Sequence, residues 1–375
     1  MITSLLDTDW YKLTMAQVIL HQYPDVKVRY KFICRDRSIH FPEGFDNILI
    51  EHISHLSSLN LSSSEKKWLL KQKGMTKYFV DWFSNYRFNP AELNIEVNHG
   101  KLEIDIEGSW LTTIFWEVPL MAIISELYFK RQAYNIPPSK MIMSSQCKKY
   151  ELTIPFADFG TRRRYSFKSQ DILVDTMKDW RYFIGTSNPY FAKKYNVPVI
   201  GTYAHEAIMV MEAIYGVQDS NKIWIDTWRN IYGNLYSIAL ADTYTTEFFL
   251  KTVDKERLML IDGLRQDSGD PIKIGELIVN HYEKIGIDPK TKKIVFSDNL
   301  NPESATKIYN HFKDKTNPVF GIGTNLTNSY ELSHLNMVIK ISGVLINGKY
   351  YPTTKLSDDP MKRIGNKNIL SNLEV

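Results

Sequence analysis

The sequence predicts an α/β fold in two parts: an irregular α/β barrel carrying an N-terminal α/β domain built on a small antiparallel sheet. Two observations carry this. Beyond about residue 150, short apolar runs ending in Gly or Asp alternate with helical segments, the rhythm of parallel βαβ units. Before it, the apolar residues switch between helical spacing and strict alternation, the pattern of half-buried strands beside helices. A length of 375 residues suits two domains, divided here as 1–135 and 136–375.

Trp10, Leu13, Gln17 and Leu20 give helical spacing over about 8–23, with Asp7 or Thr8 as the cap and Pro24 as the stop. Val26, Val28, Tyr30 and Phe32 alternate with Lys27, Arg29 and Lys31, which predicts a strand with one wet face. Residues 45–88 read as mainly helical. Ile95 and Val97, the turn Asn98-His99-Gly100, then Leu102, Ile104 and Ile106 predict a hairpin. A mostly apolar helix follows over about 113–132. In the barrel, the predicted strands end at Asp158, Gly185, Gly201, Asp242, Asp262, Asp298 and Gly321, with one further apolar run at 337–346. Seven or eight such strands favour a closed or distorted barrel over a flat sheet. The tail after Lys355 reads as polar, with little core-forming material.

Composition narrows the function classes. A net charge of +4 without a long Lys/Arg run gives no footprint for nucleic acid, though it suits small anionic substrates. Two cysteines, Cys34 and Cys147, lack metal-ligand spacing, and a reducing compartment is the expectation. The first residues carry no basic, apolar leader pattern, and no apolar stretch is read as long enough for a membrane span. The expected location is the cytoplasm.

The chemistry-bearing residues gather just after the predicted strands, where a barrel places its active-site rim. Gly321-Ile322-Gly323-Thr324-Asn325 suits a phosphate loop, since Gly lets backbone N–H groups approach an anion; a tight turn with a helix cap reads equally well. Asp262 to Pro271 packs three carboxylates, Arg265, Ser268 and two Gly into ten residues. Asp267 or Asp270 could hold Mg²⁺ on a pyrophosphate, and Arg265 could clamp phosphate. Asp270 and Pro271 also fit a helix cap, which is the reading taken for those two. Phe159 beside Arg162, Arg163 and Arg164 offers a ring and cations to a flat anion, although three Arg in a row often form a solvated face. His205 has no second His or Cys nearby, so a metal role is not expected, and a lone His is more often structural.

The chain resembles the nicotinate phosphoribosyltransferase family over nearly its whole length. The resemblance lies in Leu6 to Met15, Trp116 to Leu120, Phe159 to Arg164, Gly185-Thr186-Ser187-Asn188, Gly201 to Glu206, Asp242-Thr243-Tyr244, Arg265 to Pro271, Phe296-Ser297-Asp298 and Phe320 to Leu326. It implies a type II phosphoribosyltransferase-like fold and a reaction joining nicotinate to phosphoribosyl pyrophosphate. It implies ATP coupling through a phosphohistidine at His205, with Arg265 and Asp267 catalytic and Mg²⁺ on Asp267. Tyr11, often from a neighbouring subunit, and Phe159 would sandwich the pyridine ring. Arg162, Thr186, Ser187, Asp298, Gly321, Gly323 and Thr324 would contact substrates, in a homodimer. Ala207 stands where many members carry an aromatic residue. Ser187, where nicotinamide-using relatives are acidic, favours nicotinate. A non-catalytic phosphosugar-binding relative is the alternative of another class.

Overall fold

The computed structural model describes residues 1–36, 38–131, 153–328 and 335–365. Cys147 and the expected domain boundary at 135/136 lie outside the described residues. Eleven strands form among the described residues: β1 (Lys27–Cys34), β2 (Leu93–Asn98), β3 (Lys101–Ser109), β4 (Phe156–Asp158), β5 (Phe183–Thr186), β6 (Ile238–Leu240), β7 (Gly263–Gln266), β8 (Lys293–Phe296), β9 (Asn317–Ile322), β10 (Met337–Ile346) and β11 (Lys349–Pro352). The chain divides into two compact units: Met1–Glu151 with Ala157–Gly201 and Ile322–Lys340, and Leu152–Phe156 with Thr202–Gly321 and Ile341–Val375.

The first unit holds the antiparallel strands β1, β2 and β3. β3 pairs with β1 on one side, Tyr30 opposite Ile106, and with β2 on the other, Asn98 opposite Lys101. The hairpin turn uses His99 and Gly100, both at positive φ, as a tight two-residue connection requires. Val28, Tyr30, Leu102, Ile104 and Ile106 are buried while their neighbours are wet, as the alternation predicts. The helix Trp10–Gln22 departs from expectation. It is buried nearly all round, Lys12, Thr14 and Gln17 included. Asp9 occupies its N-cap without a side-chain cap bond, and the Asp7 carboxylate is used elsewhere. The stretch Trp110–Arg131 passes the length and hydropathy test for a membrane span, contrary to the sequence reading. It is 94% buried in that window and breaks into Trp110–Thr113 and Glu117–Arg131, which makes it a core element.

The second unit holds four parallel strands in the order β9-β8-β7-β6. Helices follow the strands, Thr246–Thr252 after β6, Pro271–Lys284 after β7 and Pro302–Phe312 after β8. This is the α/β alternation the sequence predicts. Three strand assignments are corrected. The run at 337–346 is β10, which pairs antiparallel with β11 and has no place in the parallel order. Val199-Ile200-Gly201 contributes one isolated bridge, Val199 to Thr186, within the first unit. Leu260 ends the helix Lys255–Leu260, so the neighbouring strand is Gly263–Gln266 and carries Arg265 within it. Gly263 lies so close to β8 that a Cβ there would stand 1.9 Å from the Lys293 carbonyl oxygen. Beyond Lys355, itself buried, the described tail buries only Leu356 and Ser357 and leaves 358–365 partly or fully exposed.

In the first unit, Arg164 and Asp7 form a buried, two-pronged ion pair at 2.7 and 2.8 Å. Asp7→Ala would leave the guanidinium buried without its partner. The expected loss is about 3–5 kcal/mol, read as a lower urea midpoint. A loss below about 1 kcal/mol would show that the pair contributes little.

Candidate active site

In the first unit, three sequence segments meet: the start of helix Trp10–Gln22, the turn after β4, and the turn after β5. Gly160 follows β4 and has no room for a side chain, since a Cβ would lie 2.2 Å from Thr327. That close approach sets the path of Phe159 to Arg164. The three arginines then diverge. Arg164 is buried on Asp7, and Arg163 Nε donates to the Met337 carbonyl at 2.9 Å. Arg162 is 37% exposed; its NH1 lies 3.2 Å from Glu117, its Nε 3.6 Å from Asp9, and its guanidinium 5.9 Å from the Tyr11 ring centre.

Glu117 is the hub of this cluster. It accepts from Lys12 Nζ at 2.7 Å and from the Tyr11 hydroxyl at 3.2 Å. Burial would raise its carboxyl, but Lys12 and Arg162 outweigh that and hold it well below the usual range. Asp9 behaves differently. Burial pushes it up to about 6, against the pull of Arg162 and the Ser187 hydroxyl bond at 2.6 Å. The Thr186 hydroxyl donates to Asp158 at 2.8 Å and is fully buried. Both expected hydroxyls, Thr186 and Ser187, are therefore engaged with carboxylates of their own chain. Phe159 N donates to the Ile322 carbonyl at 2.9 Å, bringing Phe159 to Gly323 and Thr324. The sequence reading named none of Asp9, Lys12 and Glu117 for the site, although they lie within the motifs Leu6 to Met15 and Trp116 to Leu120.

In the second unit, the strand ends deliver charge. Asp242 and Thr243 follow β6, Asp267 follows β7, Ser297 and Asp298 follow β8, and Gly321 lies in β9. His205 opens the helix His205–Tyr215 and is 4% exposed. Its Nδ1 lies 3.1 Å from the Thr243 hydroxyl. Its Nε2 lies 2.8 Å from Lys355 Nζ, 3.2 Å from Asp267 and 3.9 Å from Asp242. The Lys355 ammonium only donates to Nε2 and the Asp267 carboxylate only accepts from it; the shorter Lys355 contact favours Nε2 as the acceptor, with the ring proton on Nδ1. Burial, then the Lys355 charge, lowers the His205 pKa to about 3 despite the two carboxylates. Both leading causes favour the neutral imidazole.

Asp267 also accepts from Ser297 at 2.8 Å and lies 3.2 Å from Arg265. Arg265, His205 and Lys355 together hold its carboxyl far down although burial opposes them. Lys362 Nζ bridges the Asp267 carbonyl and the Asp298 carboxylate. Asp270 caps the helix Pro271–Lys284, with Pro271 at its start, as the sequence predicts. Among the described residues, Asp242 Oδ1 and Arg265 Nε are buried without a hydrogen-bond partner. His205, Asp242 and Asp267 bring three donor atoms within 4.8 Å of one another. Lys355 and Lys362 were missed entirely, because nothing in a polar tail marks two lysines as strand-end partners.

The nicotinate phosphoribosyltransferase (NAPRTase) family model matches residues 154–375, and the model of its N-terminal domain matches residues 6–125. The chain belongs to the nicotinate phosphoribosyltransferase family. It is 40% identical over 380 residues to the nicotinate phosphoribosyltransferase of Desulforapulum autotrophicum, covering 99% of this chain and 97% of that one. The Chromohalobacter salexigens enzyme of the same name is 38% identical with the same coverage. The crystal structure of nicotinate phosphoribosyltransferase from Porphyromonas gingivalis superimposes with a TM-score of 0.96 at 33% identity over the full length of both chains. That from Vibrio cholerae gives 0.88 at 31%, covering all of this chain and 93% of the other. The family resemblance read from motifs is thereby established, and so is the mixed α/β fold with a parallel sheet and an N-terminal domain.

The low pKa of His205 has a testable sign. Between about 3 and the ordinary 6.5, the unfolded chain binds a proton at this residue that the folded chain does not. Its contribution to stability is therefore complete above pH 6.5 and is lost as pH falls. From pH 7 to 5 wild type should lose about 2 kcal/mol more than His205→Asn in urea unfolding. Equal losses in the two proteins would contradict a neutral, buried imidazole.

Proposed function

We propose that this chain transfers the phosphoribosyl group of phosphoribosyl pyrophosphate to nicotinate, giving nicotinate mononucleotide and pyrophosphate in NAD salvage, coupled to ATP hydrolysis through phosphorylation of His205. Family membership supports the transfer reaction. The observation that carries the coupling is the setting of His205: buried, its Nδ1 beside the Thr243 hydroxyl and its Nε2 2.8 Å from the Lys355 ammonium and within 4 Å of Asp242 and Asp267. A neutral imidazole nitrogen held this way is a nucleophile for the γ-phosphorus of ATP. The Nε2 lone pair forms the N–P bond, the P–O bond to ADP breaks with its electrons, and Nδ1 keeps its proton against Thr243.

For the transfer itself, the chain supplies position and charge. Arg265, with an orphaned Nε, is the residue to clamp pyrophosphate or a phosphate ester. Tyr11 and Phe159 would stack the pyridine ring, and Arg162 would face its carboxylate. Gly321, Gly323 and Thr324 would offer backbone to phosphate. The carboxylates fit Mg²⁺: Asp242 carries a buried oxygen without a partner, and Asp267 and Asp298 give further hard oxygen donors. Mg²⁺ would be held by Asp267 and Asp298 together with substrate phosphates, and it would spread the negative charge of the leaving pyrophosphate. Assembly is proposed as a homodimer in the cytoplasm. Within one chain, Tyr11 already donates to Glu117 and lies beside Arg162.

Product formation from nicotinate and from nicotinamide, each with and without ATP, tests the reading. Nicotinate should turn over far faster, and ATP should stimulate wild type. His205→Ala should lose acid-labile phosphate incorporation and ATP stimulation while keeping slow transfer. Equal use of nicotinamide would overturn the substrate assignment, and undiminished ATP stimulation in the variant would overturn the phosphohistidine. For assembly, inactive Tyr11→Ala and Phe159→Ala chains should regain activity on mixing if subunits share sites. No recovery would argue for sites complete within one chain.

A further inference from the structure

We propose that Lys355 is the cation that lets His205 accept a phosphoryl group: its ammonium caps Nε2 in the resting protein and passes its hydrogen bond to the phosphoryl oxygens once the N–P bond forms. This rests on the phosphohistidine reading above. Three observations on the second unit lead to it.

Lys355 Nζ is the partner nearest to His205 Nε2, at 2.8 Å, and the residue is only 3% exposed. A buried lysine is costly unless its charge has a task or a partner. Here its field couples to both Asp242 and Asp267.

The donor set around Nε2 is that of a divalent-cation site, since His205, Asp242 and Asp267 present ligand atoms within 4.8 Å. The Lys355 ammonium approaches that set from the imidazole side, 2.8 Å from Nε2. Phosphorylating Nε2 would put about two negative charges next to two carboxylates in a place shielded from water. Arg265 already lies against Asp267, at 3.2 Å. Lys355, which faces Nε2 itself, is the charge placed to offset the new phosphoryl group.

The backbone around Lys355 is held from several sides. Lys355 and Ile364 exchange backbone bonds at 2.7 and 2.8 Å. Leu356 N donates to the Thr243 carbonyl at 3.0 Å, and Thr354 N donates to Glu212 at 2.9 Å. Thr243, whose hydroxyl meets Nδ1, therefore also anchors the segment whose lysine meets Nε2. Both ring nitrogens are positioned through one residue.

The step balances without another reactant. The Nε2 lone pair attacks the γ-phosphorus, ADP leaves with the electron pair of the broken P–O bond, and the Lys355 N–H shifts from Nε2 to a phosphoryl oxygen without leaving nitrogen.

The test is single-turnover labelling of full-length protein from γ-labelled ATP, reading acid-labile phosphate, with thermal unfolding in parallel. Lys355→Met should slow labelling about 10- to 100-fold, the scale of one charge-assisted hydrogen bond. Lys355→Arg should recover part of the rate. The double variant Lys355→Met/Asp242→Asn removes one cation and one anion. It should regain thermal stability yet label as slowly as Lys355→Met. If the double variant labels like wild type, Lys355 only balances buried charge, and the proposal fails. If Lys355→Met alone labels like wild type, the proposal fails while the phosphohistidine stands. If wild type takes up no acid-labile phosphate, the phosphohistidine reading fails and takes this proposal with it.

Discussion

The bidentate pair between Arg164 and Asp7 is the constraint on which the first unit's site depends. Two full charges sit out of water there, which is tolerable only because their lone pairs and donors are widely used. Asn188 Nδ2 donates to Asp7 at 2.8 Å, and Arg164 NH1 reaches Gln170 at 3.1 Å. Gln170 in turn donates to Asp158, and Thr186 donates to the same carboxylate. The pair therefore ties the start of the chain, the turn after β4 and the turn after β5 into one hydrogen-bonded knot. Asp9, Tyr11 and Lys12 sit within five residues of Asp7, and Arg162 lies two residues before Arg164. Fixing the knot fixes how these four side chains surround Glu117.

The second unit uses charge differently. Its parallel strands all end at one rim and bring Asp242, Asp267 and Asp298 to it from three successive strands. Backbone ladders do this without regard to charge, so cations must come from elsewhere in the chain. Arg265 comes from the strand itself, and Lys355 and Lys362 from the segment after β11. The outcome is unequal. Asp267 is surrounded by donors, whereas Asp242 accepts from Ser268 on one oxygen and has an orphan on the other. An anion left partly unsatisfied next to a neutral imidazole is an unstable arrangement for a resting core and a useful one for group transfer.

The strands of both sheets were readable wherever alternation or a Gly or Asp terminus marked them. The hairpin at 93–109 and the runs ending at Asp158, Gly185, Asp242, Asp298 and Gly321 fall where the pattern put them. The exception at Asp262 is instructive. Leu260 and Ile261 look like the end of a buried strand, but Leu260 closes a helix and is 49% exposed. The true strand begins at Gly263, where the close approach of the Lys293 backbone needs a residue without a side chain. The cap of the first helix was misread because Asp7 is drawn away by Arg164, a partner 157 residues distant. His205 stood out through family motifs, not through any spacing of its own. Its lysine left no trace at all, since charge complementarity between remote segments has no period.

His205 and Lys355 are 150 positions apart, and the residues that complete the cage, Asp242 and Asp267, lie between them. A long loop closes where Nε2 meets the ammonium, a contact of high sequence separation. Until then the imidazole has its carboxylate neighbours and lacks the ammonium that fixes Nε2 as the acceptor. Without it, the second of the two causes that lower the His205 pKa, after burial, is missing. On the phosphohistidine reading proposed above, competence would thus depend on the segment after β11 as much as on the strands and their acids.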